Sequence, residues 1–218
     1  MEKNSPTETI GEKKGRVLRI IEILEKAYPN PQIALRFNNP LELLVATILS
    51  AQCTDERVNK VTETLFKKYR RPQDYASTDL TTLEEDVRST GFYKNKARAI
   101  KEAARKMVND FEGNIPQTMA ELLILPGVGR KTASIILGNA FGKEAIAVDT
   151  HVKRVSGRLG LVQSEDPDKI EEELKEIIPP SKWTLTTNLL IWHGRIICQA
   201  RSPKRDICPL RDLCPWEG

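Results

Sequence analysis

The sequence predicts an all-α protein, on three observations. Apolar residues recur at a period near 3.6 in nearly every segment. Residues that start and stop helices punctuate those segments. Clusters of Val, Ile and Thr in strand alternation are missing, and Ala145 to Val148 is the only short extended candidate. In chain order, Val17, Ile20, Ile21 and Leu24 form a stripe that ends before Pro29. Leu41 to Leu49 is apolar almost all round, the pattern of a buried helix. Val58, Val61 and Leu65 follow a polar start at Thr54-Asp55-Glu56, and Thr81-Thr82-Leu83-Glu84 has capping-box spacing. Ala97, Ile100, Ala104, Met107 and Phe111 line a helix that stops at Gly113. Arg130 to Phe141 is a helix with a small-residue face, and Asp149 is placed to cap a helix over His151 to Leu159. Asp166-Pro167 opens an acidic helix that Pro179-Pro180 closes.

With 218 residues the chain can bury one sizeable core or two small ones. No apolar run approaches the roughly 20 residues of a membrane span, since Glu42 interrupts the longest candidate. Met1 to Lys14 is polar and mixed in charge, which excludes a signal peptide and predicts a cytoplasmic location. The net charge of +4 is too small to demand nucleic acid, but its distribution is uneven. Residues 91–107 carry six basic side chains against Glu102 alone, and 181–218 hold six basic and three acidic ones. Residues 165–177 hold seven acids and two lysines. That division is expected where one face meets phosphates and the opposite face meets water.

The most informative stretch is Leu125-Pro126-Gly127-Val128-Gly129-Arg130-Lys131-Thr132-Ala133. Pro126-Gly127 breaks the preceding element, and Gly129 removes a second Cβ where backbone must approach something closely. The free N–H groups at the mouth of the following helix make an anion site suited to a phosphodiester. A phosphate-cradling nucleotide loop would need four residues between its glycines; here Val128 alone separates them. Asp149 lies eighteen residues after Lys131. The helix from 130 to 140 advances roughly 16 Å, and the loop beyond can span up to about 27 Å. The chain can therefore fold back and set a carboxylate beside the lysine.

LPGVGRKTA followed at this spacing by VDTHV resembles the helix-hairpin-helix and catalytic aspartate of the endonuclease III family of DNA glycosylases. Other pieces occur in family order: Leu49-Ser50-Ala51-Gln52-Cys53-Thr54-Asp55, Gly91-Phe92-Tyr93-Lys94-Asn95-Lys96-Ala97 and His193-Gly194-Arg195. The similarity runs from about residue 16 to 216. It implies two helical lobes with a DNA-binding cleft between them: residues 33–143 carrying the hairpin, and residues 1–32 with 144–218. It implies an enzyme that removes oxidised pyrimidines from duplex DNA and cleaves 3′ of the abasic site by β-elimination; nothing in the sequence suggests a dimer seam, and a monomer is expected. Lys131 would attack C1′ of a flipped-out deoxynucleotide. Asp149 would stabilise positive charge on the sugar and shuttle protons. A free lysine amine is neutral in roughly one molecule in 2,500 at pH 7, so partial burial of Lys131 beside Arg130 is expected. Gln52 and Phe92 would fill the hole left by the flipped base. Gly127 and Gly129 would donate backbone N–H groups to a phosphate beside Arg130, and the carbonyls of Leu123, Leu125 and Val128 would hold a monovalent cation. His151 and His193 are expected to orient backbone or pack between helices.

Three of the four cysteines, Cys198, Cys208 and Cys214, fall in the last 21 residues. The family pattern places a [4Fe-4S] cluster on C-x6-C-x2-C-x5-C. Here the second position is Arg205, and a guanidinium has no lone pair for iron. A cluster would then rest on three thiolates with a fourth ligand such as Asp206 or water. Alternatively the loop carries no cluster and Arg205 fills its space. Zinc on three thiolates is a third reading. In each case the role is structural, presenting a basic loop, 201–211, to DNA. Cys53, far upstream, reads as a buried core thiol.

Two rival functions remain open on the residues alone. One is a glycosylase without lyase activity, acting for example on mismatched adenine or thymine, although such relatives typically lack the hairpin lysine. The other is a plain helix-hairpin-helix DNA-binding module.

Overall fold

A computed structural model describes residues 8–217, and the part of the Met1–Lys14 expectation before Glu8 lies outside them. Among the described residues there are eleven α-helices and no strand: α1 (Ile10–Ala27), α2 (Pro40–Leu49), α3 (Asp55–Lys68), α4 (Pro72–Ser77), α5 (Leu80–Val87), α6 (Tyr93–Asp110), α7 (Met119–Leu123), α8 (Arg130–Phe141), α9 (Thr150–Arg158), α10 (Pro167–Ile177) and α11 (Trp183–Ile196). Residues 142–149, including the extended candidate at Ala145–Val148, pair with no strand.

The chain divides into two compact units, Ile33–Lys143 and the pair of segments Met1–Gln32 and Glu144–Gly218. In the first, α2 is the central element. Every residue from Leu41 to Leu49 except Glu42 is buried, because a helix apolar all round needs neighbours on every side. It packs against α3, α6 and α8. Asn39 caps it through Glu42 N–H, and Pro40 occupies a first-turn position where its missing N–H costs nothing.

In the second unit, the stripe Val17, Ile20, Ile21 and Leu24 on α1 is fully buried with Val152, Val155, Ile170, Leu174 and Leu189. Asp166 caps α10 through the N–H groups of Asp168 and Lys169. The α9–α11 contact is close because position 194 is glycine. A Cβ there would stand 3.0 Å from the His151 Cβ and 3.1 Å from Val155 Cγ2.

Two local expectations are corrected. The cap of α5 is Asp79, whose carboxylate accepts from Thr81 and Thr82 N–H, so the Thr81 capping box does not form. An aspartate two residues upstream starts the helix earlier, and an ionised acceptor outcompetes a hydroxyl. In α3 the buried stripe is Val58, Thr62 and Leu65 rather than Val61.

Candidate active site

The hairpin is α7, a turn, and α8. Val128 N–H bonds the Leu125 carbonyl at 3.1 Å and closes the turn. Gly127 has φ +78, and a Cβ there would meet the Ala99 Cβ of α6 at 2.8 Å; both facts demand glycine. Gly129 is in extended backbone with open space where a Cβ would point. It caps α8 without a side-chain acceptor, so the first-turn N–H groups stay available to an outside anion. Lys131 is the second residue of α8. It is exposed, not partly buried as expected, because a first-turn side chain on this face points away from α2 and the core. No hydrogen bond or ion pair among the described residues engages its ammonium. Arg130, beside it, is half-buried and has a partner.

The same unit carries Gln52 and Phe92 in two turns. Gln52 lies between α2 and α3 with φ +51; Phe92 precedes α6 with φ +48. Left-handed backbone is uncommon away from glycine and is a true outlier for a bulky residue. Phe92 is nonetheless 63% exposed, so no core contact compensates the strain. Between the turns lies Lys96, which is buried and donates from Nζ to the Leu49 and Thr90 carbonyls, each at 2.8 Å. Burial pushes its pKa below the usual lysine range. The basic run 91–107 is therefore not one phosphate-facing surface. Lys96 and Lys101 point inward to backbone carbonyls, Lys101 to those of Ala76 and Thr78.

Asp149 belongs to the other unit. It caps α9, Oδ1 accepting from His151 and Val152 N–H at 2.8 Å each. With both bonds on one oxygen, Oδ2 keeps its acceptor capacity. His193 is buried in α11, with Nδ1 3.2 Å from Tyr28 Oη, and burial holds its pKa down to about 4. His151 packs against Gly194, with Nδ1 3.1 Å from Arg154 Nη2. Both histidines organise helix contacts.

Cys198, Cys208 and Cys214 line one cavity with His193, Arg158, Arg205 and Trp216. Each thiol has a protein neighbour: Arg158 Nη1 lies 3.3 Å from Cys198 Sγ, His193 Nε2 3.6 Å from Cys208 Sγ, and the Arg158 carbonyl 3.5 Å from Cys214 Sγ. Arg205 donates to the Trp216 carbonyl, and Asp206 is exposed. Among the described residues no group of three or more His, Cys, Asp or Glu is arranged to hold a metal ion. Three thiols share the cavity, one short of a four-thiolate cluster because Arg205 stands at the second family position, and the three-thiolate reading finds no clear metal-binding group among the described residues. At the hairpin, the Leu123 and Val128 carbonyls accept no backbone hydrogen bond outside a helix, while that of Leu125 takes Val128 N–H. Cys53 is half-buried in the Gln52 turn.

Sequence reasoning missed Lys96, Arg154 and Arg158 as organisers. Lys96 carried a signal: it sits on the apolar stripe of α6 beside Ala97 and Ile100, where an unpaired charge would be costly. The arginines gave none.

A glycine turn with phosphate-ready N–H groups and, one residue further on, an unengaged lysine defines a helix-hairpin-helix protein suited to gripping a phosphate backbone. The family described as "HhH-GPD superfamily base excision DNA repair protein" matches residues 45–180. The chain is 51% identical to Endonuclease III of Synechocystis over 93% of each chain, and 47% identical to that of Bacillus subtilis over 86% of each. A solved trapped endonuclease III–DNA covalent intermediate superposes with TM-score 0.88 at 46% identity, covering 93% of this chain and 95% of that one. A thermostable thymine-DNA glycosylase superposes at 0.84 with 26% identity, covering 94% and 97%. The chain belongs to the endonuclease III family of DNA-repair glycosylases. No helix among the described residues is long and apolar enough to cross a membrane.

Proposed function

We propose that the protein excises oxidised pyrimidines from duplex DNA and then cleaves the abasic strand by β-elimination. In this reading the neutral Lys131 amine attacks C1′ as the C1′–N bond to the base breaks, and the departing base takes a proton from water. Asp149, through its uncommitted Oδ2, takes the proton shed by the amine. Asp149 passes that proton to O4′ as the C1′–O4′ bond breaks and the sugar ring opens, leaving an iminium at C1′; the iminium acidifies a C2′ proton, whose removal expels the 3′ phosphate. Gln52 and Phe92 enter the space vacated by the flipped nucleotide. Gly127 and Gly129 N–H groups, with Arg130, grip a nearby phosphate. The chemistry needs no iron–sulfur cluster and is assigned to the cytoplasm, on chromosomal DNA.

The observation that carries this reading is Lys131 itself. It is a solvent-reachable amine without a protein partner, in the first turn of an uncapped helix behind two glycines. A purely phosphate-binding lysine would do the same job from any exposed position, and the relative trapped covalently on DNA supports the stronger role. Borohydride reduction on an abasic duplex tests it. The wild type cross-links to DNA and Lys131→Ala does not; equal trapping by both removes Lys131 from the mechanism.

A further inference from the structure

We propose that Lys96 is a positioning residue for base extrusion, fixing the spacing of the two turns that carry Gln52 and Phe92. This rests on the reading that those two side chains enter the duplex. Lys96 Nζ holds the Leu49 carbonyl, three residues before Gln52, and the Thr90 carbonyl, two residues before Phe92. Its own N–H bonds the Phe92 carbonyl at 3.2 Å. One residue thus ties the last residue of α2, the end of the 3-10 turn Arg88–Thr90 and the start of α6.

The choice of residue is what needs explaining. Its ammonium is buried against carbonyl dipoles with no carboxylate partner among its hydrogen bonds, an expensive arrangement for stability alone. An apolar side chain of similar length could fill the volume. It could not draw two chain segments, 41 residues apart in sequence at Leu49 and Thr90, to within hydrogen-bond reach of one atom. Both adjoining turns hold a non-glycine residue in left-handed backbone, and such strain persists only where surrounding bonds over-determine it. Lys96 supplies those bonds on the protein side of each turn, while the side chains they aim stay exposed.

The test compares Lys96→Met, which keeps length and removes the donors, with Lys96→Arg, which keeps donors. The substrate is a duplex with an oxidised pyrimidine opposite 2-aminopurine, whose fluorescence rises when its partner is displaced. Lys96→Met is expected to slow single-turnover excision about tenfold or more and to abolish the fluorescence rise, with DNA affinity changed less than twofold. Lys96→Arg should recover part of both signals. In a Gln52→Ala/Phe92→Ala background, Lys96→Met should add less than a twofold loss. Retained fluorescence with slowed excision, or a full additional loss in that background, overturns the proposal. If Lys96→Met fails to fold, Lys96→Gln, which is too short to hold both carbonyls, carries the test: a wild-type melting temperature with slowed excision and a lost fluorescence rise supports the proposal, and wild-type excision and fluorescence refute it. Failure of the insertion reading shows separately, as wild-type excision by the Gln52→Ala/Phe92→Ala protein.

Discussion

The turns around Gln52 and Phe92 and the cysteine-bearing tail are both irregular, yet they are held by opposite means. The two turns are fixed through backbone carbonyls drawn to one buried lysine, and the side chains they carry stand out in solvent. The tail is fixed by side chains closing inward. Arg158 lies 4.1 Å from the Trp216 ring centroid and donates to the carbonyls of Gln199 and Ala200 at 2.8 and 3.0 Å, while Arg205 lies 5.7 Å from the same ring. The first arrangement holds two strained turns with their side chains in solvent; the second lines a cavity. Mutations should therefore separate activity from stability according to region.

The largest effect on this contrast is expected from Arg158→Ala. It removes the donors to two carbonyls and to Cys198 Sγ and unstacks Trp216, so stability should fall by about 2 kcal/mol. Abasic-strand cleavage per folded molecule should be unchanged, as urea unfolding beside a gel assay will show; a proportional loss of turnover would erase the contrast. Phe92→Ala should do the reverse. It deletes an exposed ring, so the melting temperature should hold within a degree or so while excision falls about tenfold, equivalent to about 1.4 kcal/mol of transition-state stabilisation. Nonspecific DNA affinity should fall far less.

A smaller, signed effect concerns pH. Burial lowers the Lys96 pKa below its ordinary 10.5. Between the folded and unfolded values, the unfolded chain binds a proton that the folded chain has lost, so stability rises with pH there. Wild-type stability should climb relative to Lys96→Met as pH approaches 10.5 and show no such slope below the folded value. Parallel curves throughout would mean that the Lys96 site is solvated. The smallest expected effect is none: prolonged iron chelation should leave strand cleavage at its starting rate, and a loss restored by iron and sulfide would reverse the reading of the tail.

Local signals carried much of this architecture. Asp149 was legible as a cap because an aspartate before a 3.6-period run has few better uses, and α2 was legible because only burial tolerates seven apolar residues in nine positions. Thr81 misled because the capping-box spacing was scored without the stronger acceptor at Asp79. The exposure of Lys131 depends on which face of α8 meets α2, and periodicity in a small-residue helix does not orient that face. The role of Lys96 was hidden for another reason. Its acceptors are main-chain carbonyls, which every residue possesses, and one lies 47 residues away.

The clash that forbids a side chain at Gly127 has a metric consequence. Ala99, the residue it would strike, follows Phe92 by seven positions on α6, two turns or about 10 Å along the axis. A single helix thus gauges the step from the Gly127 turn to Phe92. One residue inserted between Tyr93 and Arg98 would turn Phe92 by about 100° relative to Ala99.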